Sequence, residues 1–175
     1  EVSGNTAVEV SDIQIDSRKI KAGSAFVAVK GTASDGHEFI DKAIEKGAVV
    51  IVYEDSKLIL SDSQRTPDSR LTFVQVENSA AAAAYMANNF YGRPSEKLKL
   101  VGVTGTNGKT TIATLLYKLF TRLGYKCGLL STVENQIGDT VVPATHTTPD
   151  AISLNQLLSQ MVSAGCSHVF METSS

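Results

Sequence analysis

The chain has 175 residues, of which 42% are hydrophobic and 19% charged, and its formal net charge is −2. It is long enough to bury a real core and too apolar to be a disordered tail. The slightly acidic balance argues against a nucleic-acid partner, and no apolar run approaches the roughly 20 residues needed to span a bilayer, so no membrane insertion is expected.

The first half reads as a small α/β unit. Val8 to Ile15 alternates apolar and polar residues, as a half-buried strand does, and Ser24 to Val29 is a second strand. Gly31 to Gly36 is a polar loop. His37 to Lys46 suits a helix with Phe39, Ile40, Ala43 and Ile44 on one face and Gly47 at its C-cap. Ala48 to Tyr53 is a nearly continuous β-branched run, which predicts a buried strand. Residues 61–70 form a loop around Pro67, and Leu71 to Val76 returns to strand. Ser79 is placed to cap a helix that opens with five alanines and stops near Gly92. The Pro94-containing stretch Arg93 to Lys97 is the natural boundary, so a first domain over 1–92 and a second over 98–175 are expected.

In the second half, Leu98 to Val103 is a strand. Lys109 to Leu123 is a helix with Ile112, Leu115, Leu116, Leu119, Phe120 and Leu123 on one stripe, closed by Gly124. Lys126 to Ser131 is the next strand. After a loop, Thr148 is placed as an N-cap, with Pro149 at the first helical position and Asp150 in the first turn. The helix that follows carries Leu154, Leu157, Leu158, Met161 and Val162 on one face. Gly165 ends it, and His168 to Met171 is a third strand. This alternation implies right-handed crossovers and a parallel sheet, with ligands gathering beyond the carboxyl ends of the strands. Residues 104–111, Ser131-Thr132 and Glu172-Ser174 then share one rim. Cys127 and Cys166 lie in or near apolar segments, and no second Cys or His stands at ligand spacing. Reduced, buried thiols in a cytoplasmic protein are therefore expected.

The most informative stretch is Thr104-Gly105-Thr106-Asn107-Gly108-Lys109-Thr110-Thr111, between an apolar strand and an amphipathic helix. Glycines let the backbone approach closely, and successive N–H groups and the helix N-terminus present positive charge to an anion. Lys109 adds a full charge for outer phosphates, and the Thr110 hydroxyl can touch a bound Mg²⁺. The strict phosphate-loop spacing requires Gly at 103, where Val103 stands, so this is a variant loop.

Four spaced segments resemble the Mur ligases, the ATP-dependent amide-forming enzymes of peptidoglycan precursor assembly. They are the loop at 104–111; Asp16-Ser17-Arg18 with Ala22 to Ala28; Asp35-Gly36-His37-Glu38-Phe39-Ile40; and Thr147-Thr148-Pro149-Asp150 with Glu172-Thr173-Ser174-Ser175. The resemblance implies an α/β chain, with a small N-terminal UDP-binding domain followed by a truncated parallel-sheet ATP-binding domain. It implies ATP and Mg²⁺, and as partners UDP-MurNAc-dipeptide and a third amino acid, meso-diaminopimelate or L-lysine. The reaction it implies phosphorylates the dipeptide carboxylate, and the amine then attacks the acyl phosphate. Gly105, Thr106, Asn107, Gly108, Lys109, Thr110 and Thr111 would cradle the ATP phosphates. Lys109 and Glu172 would carry the catalytic roles, and Thr110 and Glu172 the metal. Ile15, Ser17, Thr32, Ala33 and Ser34 would meet the uridine end of the substrate, and His146, Thr147, Thr148 and Ser174 its sugar or peptide end. Position 173 departs from the expected Val, and His146 stands where Asn is common.

The family enzyme is more than twice this long, so the 175 residues alone are expected not to ligate, and an unpaired sheet edge with exposed apolar area is expected to bring marginal stability or self-association. A stand-alone nucleotide or UDP-sugar module, a phosphate-loop NTPase and the fourth ligase of the pathway remain alternatives. A solvated strand end would explain Glu172, and a plain helix cap Thr148. His37 and His168 read as structural.

Overall fold

A computed structural model describes residues 1–31, 34–54, 71–143 and 149–173. The predicted loop at 61–70 lies outside the described residues. The chain divides into two compact units, Glu1–Met86 and Ala87–Ser175.

Unit 1 is built on a five-stranded sheet of β1 (Val2–Ser3), β2 (Asp12–Gln14), β3 (Ser24–Val27), β4 (Val50–Tyr53) and β5 (Thr72–Gln75), in the order β1-β5-β4-β3-β2. The four strands β2 to β5 are parallel, and β1 runs antiparallel at the edge. All four residues of β3 are buried, and Phe26, Ile51 and Phe73 from three adjacent strands form the core with Ile40 and Ala43 of α1 (Ile40–Glu45). Continuous apolar runs are what a strand covered on both faces requires.

Three expectations in this unit are corrected. The strand predicted over Val8 to Ile15 shrinks to Asp12–Gln14, because Asp12 turns its carboxylate onto the Ile13 N–H and Gln14 Nε2 and only Ile13 is buried. The helix predicted from His37 begins only at Ile40; Gly36–Phe39 is a 3₁₀ turn started by Asp35, whose carboxylate accepts the His37 N–H. Ser79 is not the cap of α2 (Ser79–Phe90). Asn78 Oδ1 accepts the Ala81 N–H, while the buried Ser79 donates its N–H and hydroxyl to Glu54 Oε1.

Unit 2 carries β6 (Lys99–Val103), β7 (Cys127–Leu130), β8 (Glu134–Ile137), β9 (Thr140–Pro143) and β10 (His168–Glu172), in the order β6-β10-β7-β8-β9. The three strands β6, β10 and β7 are parallel. Alternation along them serves two helices. Phe170 and Leu129 face α3 (Lys109–Arg122), where Ala113 and Tyr117 pack. Val169 and Leu130 face α4 (Ala151–Ser163), where Leu158 and Met161 pack. Gly128 lies close under α4: a Cβ there would come 2.5 Å from Met161 Sδ, so the Met161 side chain would have to shift. Cys127 and Cys166 are buried and free, and burial pushes both thiols up from their ordinary range.

The expected parallel strands are present in this unit, and a hairpin extends their sheet. What the sequence reading treated as loop contains the antiparallel hairpin β8–β9, turned at Gly138-Asp139 with Gly138 at φ 57°. The α3 stripe is rotated relative to the predicted one. Ala113 and Tyr117 are buried, whereas Ile112, Leu115, Leu119 and Leu123 are about half exposed or more. Helix α4 is capped by Asp150, which accepts the Ile152 and Ser153 N–H groups, with Pro149 preceding the cap; Thr148 lies outside the described residues.

Candidate functional site

Unit 2 brings the loop after β6, the turn after β7 and the end of β10 together. Gly105 has φ 142° and Gly108 φ 80°, conformations that L side chains rarely adopt. Gly108 is the N-cap of α3 and offers no side chain, so no cap side chain takes up the first-turn N–H groups at the positive end of the helix dipole. Thr106, Asn107 and Thr111 are exposed along this loop. Lys109 Nζ donates to the Gly105 carbonyl at 2.5 Å, which folds the charge back over the loop.

The acid lies beside it. Glu172 is only 2% exposed at the end of β10. Its carboxylate accepts from Thr110 Oγ1 at 3.1 Å, from the Thr132 N–H at 3.0 Å and from the Thr132 hydroxyl at 3.1 Å. A buried carboxylate must be paired or hydrogen-bonded, and this one is held from two elements. The solvated-strand-end explanation for Glu172 therefore fails. One carboxylate with threonine hydroxyls is a hard oxygen donor set, which suits a cation such as Mg²⁺ that keeps phosphate and water among its ligands. Among the described residues no group of three or more His, Cys, Asp or Glu forms a metal cluster, so protein side chains alone do not make a complete cage.

Unit 1 has its own cavity of about 610 Å³, which Ile15, Ser17, Ser34, Gly36, Phe39 and Lys42 help to line. Three predicted uridine-side residues, Ile15, Ser17 and Ser34, thus meet at one site. Thr32 and Ala33, together with His146, Thr147, Thr148 and Ser174, lie outside the described residues. The Ser17 turn is braced twice. Asp16 accepts from the Arg18 N–H, Nε and a terminal nitrogen, and the Arg18 side chain holds the Asp16 carboxyl down at about 2. Lys46 Nζ reaches from the end of α1 to donate to the Ser17 and Arg18 carbonyls, both at 3.0 Å.

The loop side of the cavity is braced by His37. Its Nδ1 is 2.5 Å from Asp35, and its Nε2 accepts the Glu54 N–H at 3.0 Å. That acceptor role places the imidazole proton on Nδ1. Two nearby carboxylates are lowered: Asp35 by the His37 backbone and ring hydrogen bonds, and Glu54, which meets His37 only through its backbone N–H, by hydrogen bonds from Ser79. His168 is buried, bonded to Ser167 and packed on Phe120 and Tyr125. Both histidines have the structural surroundings expected of them.

The reading of the sequence assigned no role to Thr132 or Lys46. The first could be found from its place at the carboxyl end of β7, on the rim shared with the loop. No local pattern marks the second, because its partners lie 28 and 29 residues away.

Two family models match the chain: one described as the Mur ligase family catalytic domain over residues 9–91, and one described as the Mur ligase middle domain over residues 103–175. The protein named UDP-N-acetylmuramoyl-L-alanyl-D-glutamate–2,6-diaminopimelate ligase in Cytophaga hutchinsonii is 61% identical over 99% of this chain. The protein of the same name in Parabacteroides distasonis is 53% identical over 98%. The chain spans 35% and 34% of their lengths, about a third of the curated relatives it matches.

A solved structure of a 2,6-diaminopimelate ligase of that name superposes with a TM-score of 0.76 at 24% identity, over 94% of this chain and 32% of the other. The MurF ligase from Thermotoga maritima, solved in complex with ADP, gives 0.58 at 28% identity over 95% and 32%. The function read from the sequence is corrected by these matches. It left the third amino acid open and kept a free-standing module, a plain NTPase and a fourth-step ligase beside it. The relatives compared are named instead for 2,6-diaminopimelate addition, in proteins about three times this length.

Proposed function

Because the chain belongs to the Mur ligase family, we propose that it is the amino-terminal portion of a ligase that joins 2,6-diaminopimelate to UDP-N-acetylmuramoyl-L-alanyl-D-glutamate. Unit 2 holds the phosphates of ATP, and unit 1 clasps the UDP end of the acceptor. The observation that carries this reading is the convergence of Gly105, Lys109, Thr110, Thr132 and Glu172 at the carboxyl ends of three parallel strands.

Each residue then has a role. Residues 105–111 offer backbone N–H groups to phosphate oxygens. Lys109 supplies a mobile positive charge, which outer phosphates draw away from the Gly105 carbonyl. Thr110 and Glu172 hold Mg²⁺, which supplies charge neutralisation on the transferring phosphate. Ile15, Ser17 and Ser34 line the pocket for the uridine end, with Thr32 and Ala33 beside them in sequence. The roles of His146, Thr147, Thr148 and Ser174 toward the sugar and peptide end rest on the motif resemblance. The two free buried thiols support a cytoplasmic setting.

The test is ligation by the full-length protein carrying this sequence. With ATP, Mg²⁺ and UDP-N-acetylmuramoyl-L-alanyl-D-glutamate, diaminopimelate is incorporated and phosphate released, and Lys109→Ala lowers the rate at least about a hundredfold. Absence of product from the unsubstituted protein, or an undiminished rate in the variant, overturns the assignment.

A further inference from the structure

The three donors around Glu172 are not equivalent. Oε1 receives the Thr132 N–H at 3.0 Å, a donor fixed by the backbone. Oε2 receives only hydroxyl donors, from Thr110 and Thr132, each at 3.1 Å. A hydroxyl rotates to suit its partner, whereas a backbone N–H cannot. The Thr132 hydroxyl also lies 3.1 Å from Oε1, so it can serve either oxygen.

The turn that carries Thr132 is itself locked. Ser131, 2% exposed, donates its hydroxyl to the Glu134 carbonyl and accepts the Val133 and Glu134 N–H groups on the same oxygen. Its own N–H donates to Oδ1 of the buried Asn135. Thr132 is therefore presented from a rigid support to a carboxylate on another strand.

We propose that Thr132 is a positioning residue that holds Glu172 by Oε1, so that Oε2, on the Thr110 side, is the oxygen offered to the divalent cation accompanying the nucleotide. The inference rests on the nucleotide reading above and deepens it. Hydroxyls can rotate, so with a cation at Oε2 the Thr110 oxygen would be free to face it, and the Thr132 N–H and hydroxyl would both hold Oε1. Neighbours that orient a ligand in this way are typically worth ten- to a hundredfold in metal affinity.

The experiment uses the full-length protein, with Mn²⁺ as the probe and a non-hydrolysable ATP analogue, read by electron paramagnetic resonance. Thr132→Val removes the hydroxyl and keeps the N–H, and weakens Mn²⁺ uptake in the ternary complex about tenfold. Thr132→Ser stays within about twofold of the unsubstituted protein. Analogue binding in the presence of a chelator is unchanged in both. Should Thr132→Val not fold, Thr132→Ala is read in its place. Unsubstituted protein that takes up Mn²⁺ with the analogue, beside a Thr132→Val protein of equal affinity, overturns the role of Thr132 alone. Unsubstituted protein that takes up no Mn²⁺ with the analogue overturns the nucleotide reading and this inference together.

Discussion

Asp16 organises its turn through one carboxylate. It accepts from the Arg18 backbone and from two nitrogens of the Arg18 side chain, and that pairing lowers its carboxyl from 3.8 to about 2. A group depressed in the folded state binds fewer protons there than in the unfolded chain between those two values. Its contribution to stability is therefore complete above about pH 4 and is lost as pH falls through 2. The Arg18 side chain is 82% exposed, so water screens the pair, and the contribution is about 1 kcal/mol. Asp16→Asn should flatten the acid limb of the stability curve by that amount, measured by urea unfolding at pH 2 to 5. An unchanged acid limb would show that the pair is idle. The same substitution loosens the turn that presents Ser17 to the cavity, so under the proposed function affinity for UDP should fall in the same protein.

At the level of elements, the cavity of unit 1 depends on how closely the 3₁₀ turn meets the segment that follows β3. The Gly36 N–H donates to the Val29 carbonyl at 3.0 Å, and a Cβ at position 36 would come within 2.7 Å of Val29 N and O. Those are backbone atoms with nowhere to swing. Gly36→Ala should cost about 2 kcal/mol, through lost hydrogen bonding and a displaced turn, and appear as a lower urea midpoint with an unchanged slope. This requirement was only half legible. The sequence named Gly36 as the end of a loop but not the strand it must approach, because close approach is a tertiary fact.

The same limit explains the other misses. Helical periodicity identified α3 and two residues of its covered face, Leu116 and Phe120, but not Ala113 and Tyr117, because that helix is apolar on more than one side and the sheet selected between them. The hairpin β8–β9 was read as loop although Gly138-Asp139 stands between two runs able to pair, a recognised two-residue turn signal. The cap of α4 moved from Thr148 to Asp150 because Asp, like Thr, is a strong N-cap and lies two residues closer to the apolar run. The glycine-rich loop was legible as a candidate phosphate site because glycine, lysine and threonine at that spacing carry their chemistry locally. The place of Thr132 on the rim shared with that loop was legible too, but its bond to Glu172 was not, because that partner is 40 residues away.

For the molecule as a whole, the two units differ in one chemical respect. Both cysteines lie in unit 2, one on the α3 side of its sheet and the other on the α4 side, and unit 1 has none. Each is buried, and burial raises both thiols, so neither is a ready nucleophile near neutral pH. A disulfide-exchange dye should therefore leave the native polypeptide unlabelled and modify it only as fast as unit 2 opens. Urea that melts unit 1 alone would change circular dichroism without releasing any colour. Prompt labelling of the native protein would contradict the packing described. The chain thus contains a built-in stopwatch for one half of itself, with the other half chemically silent.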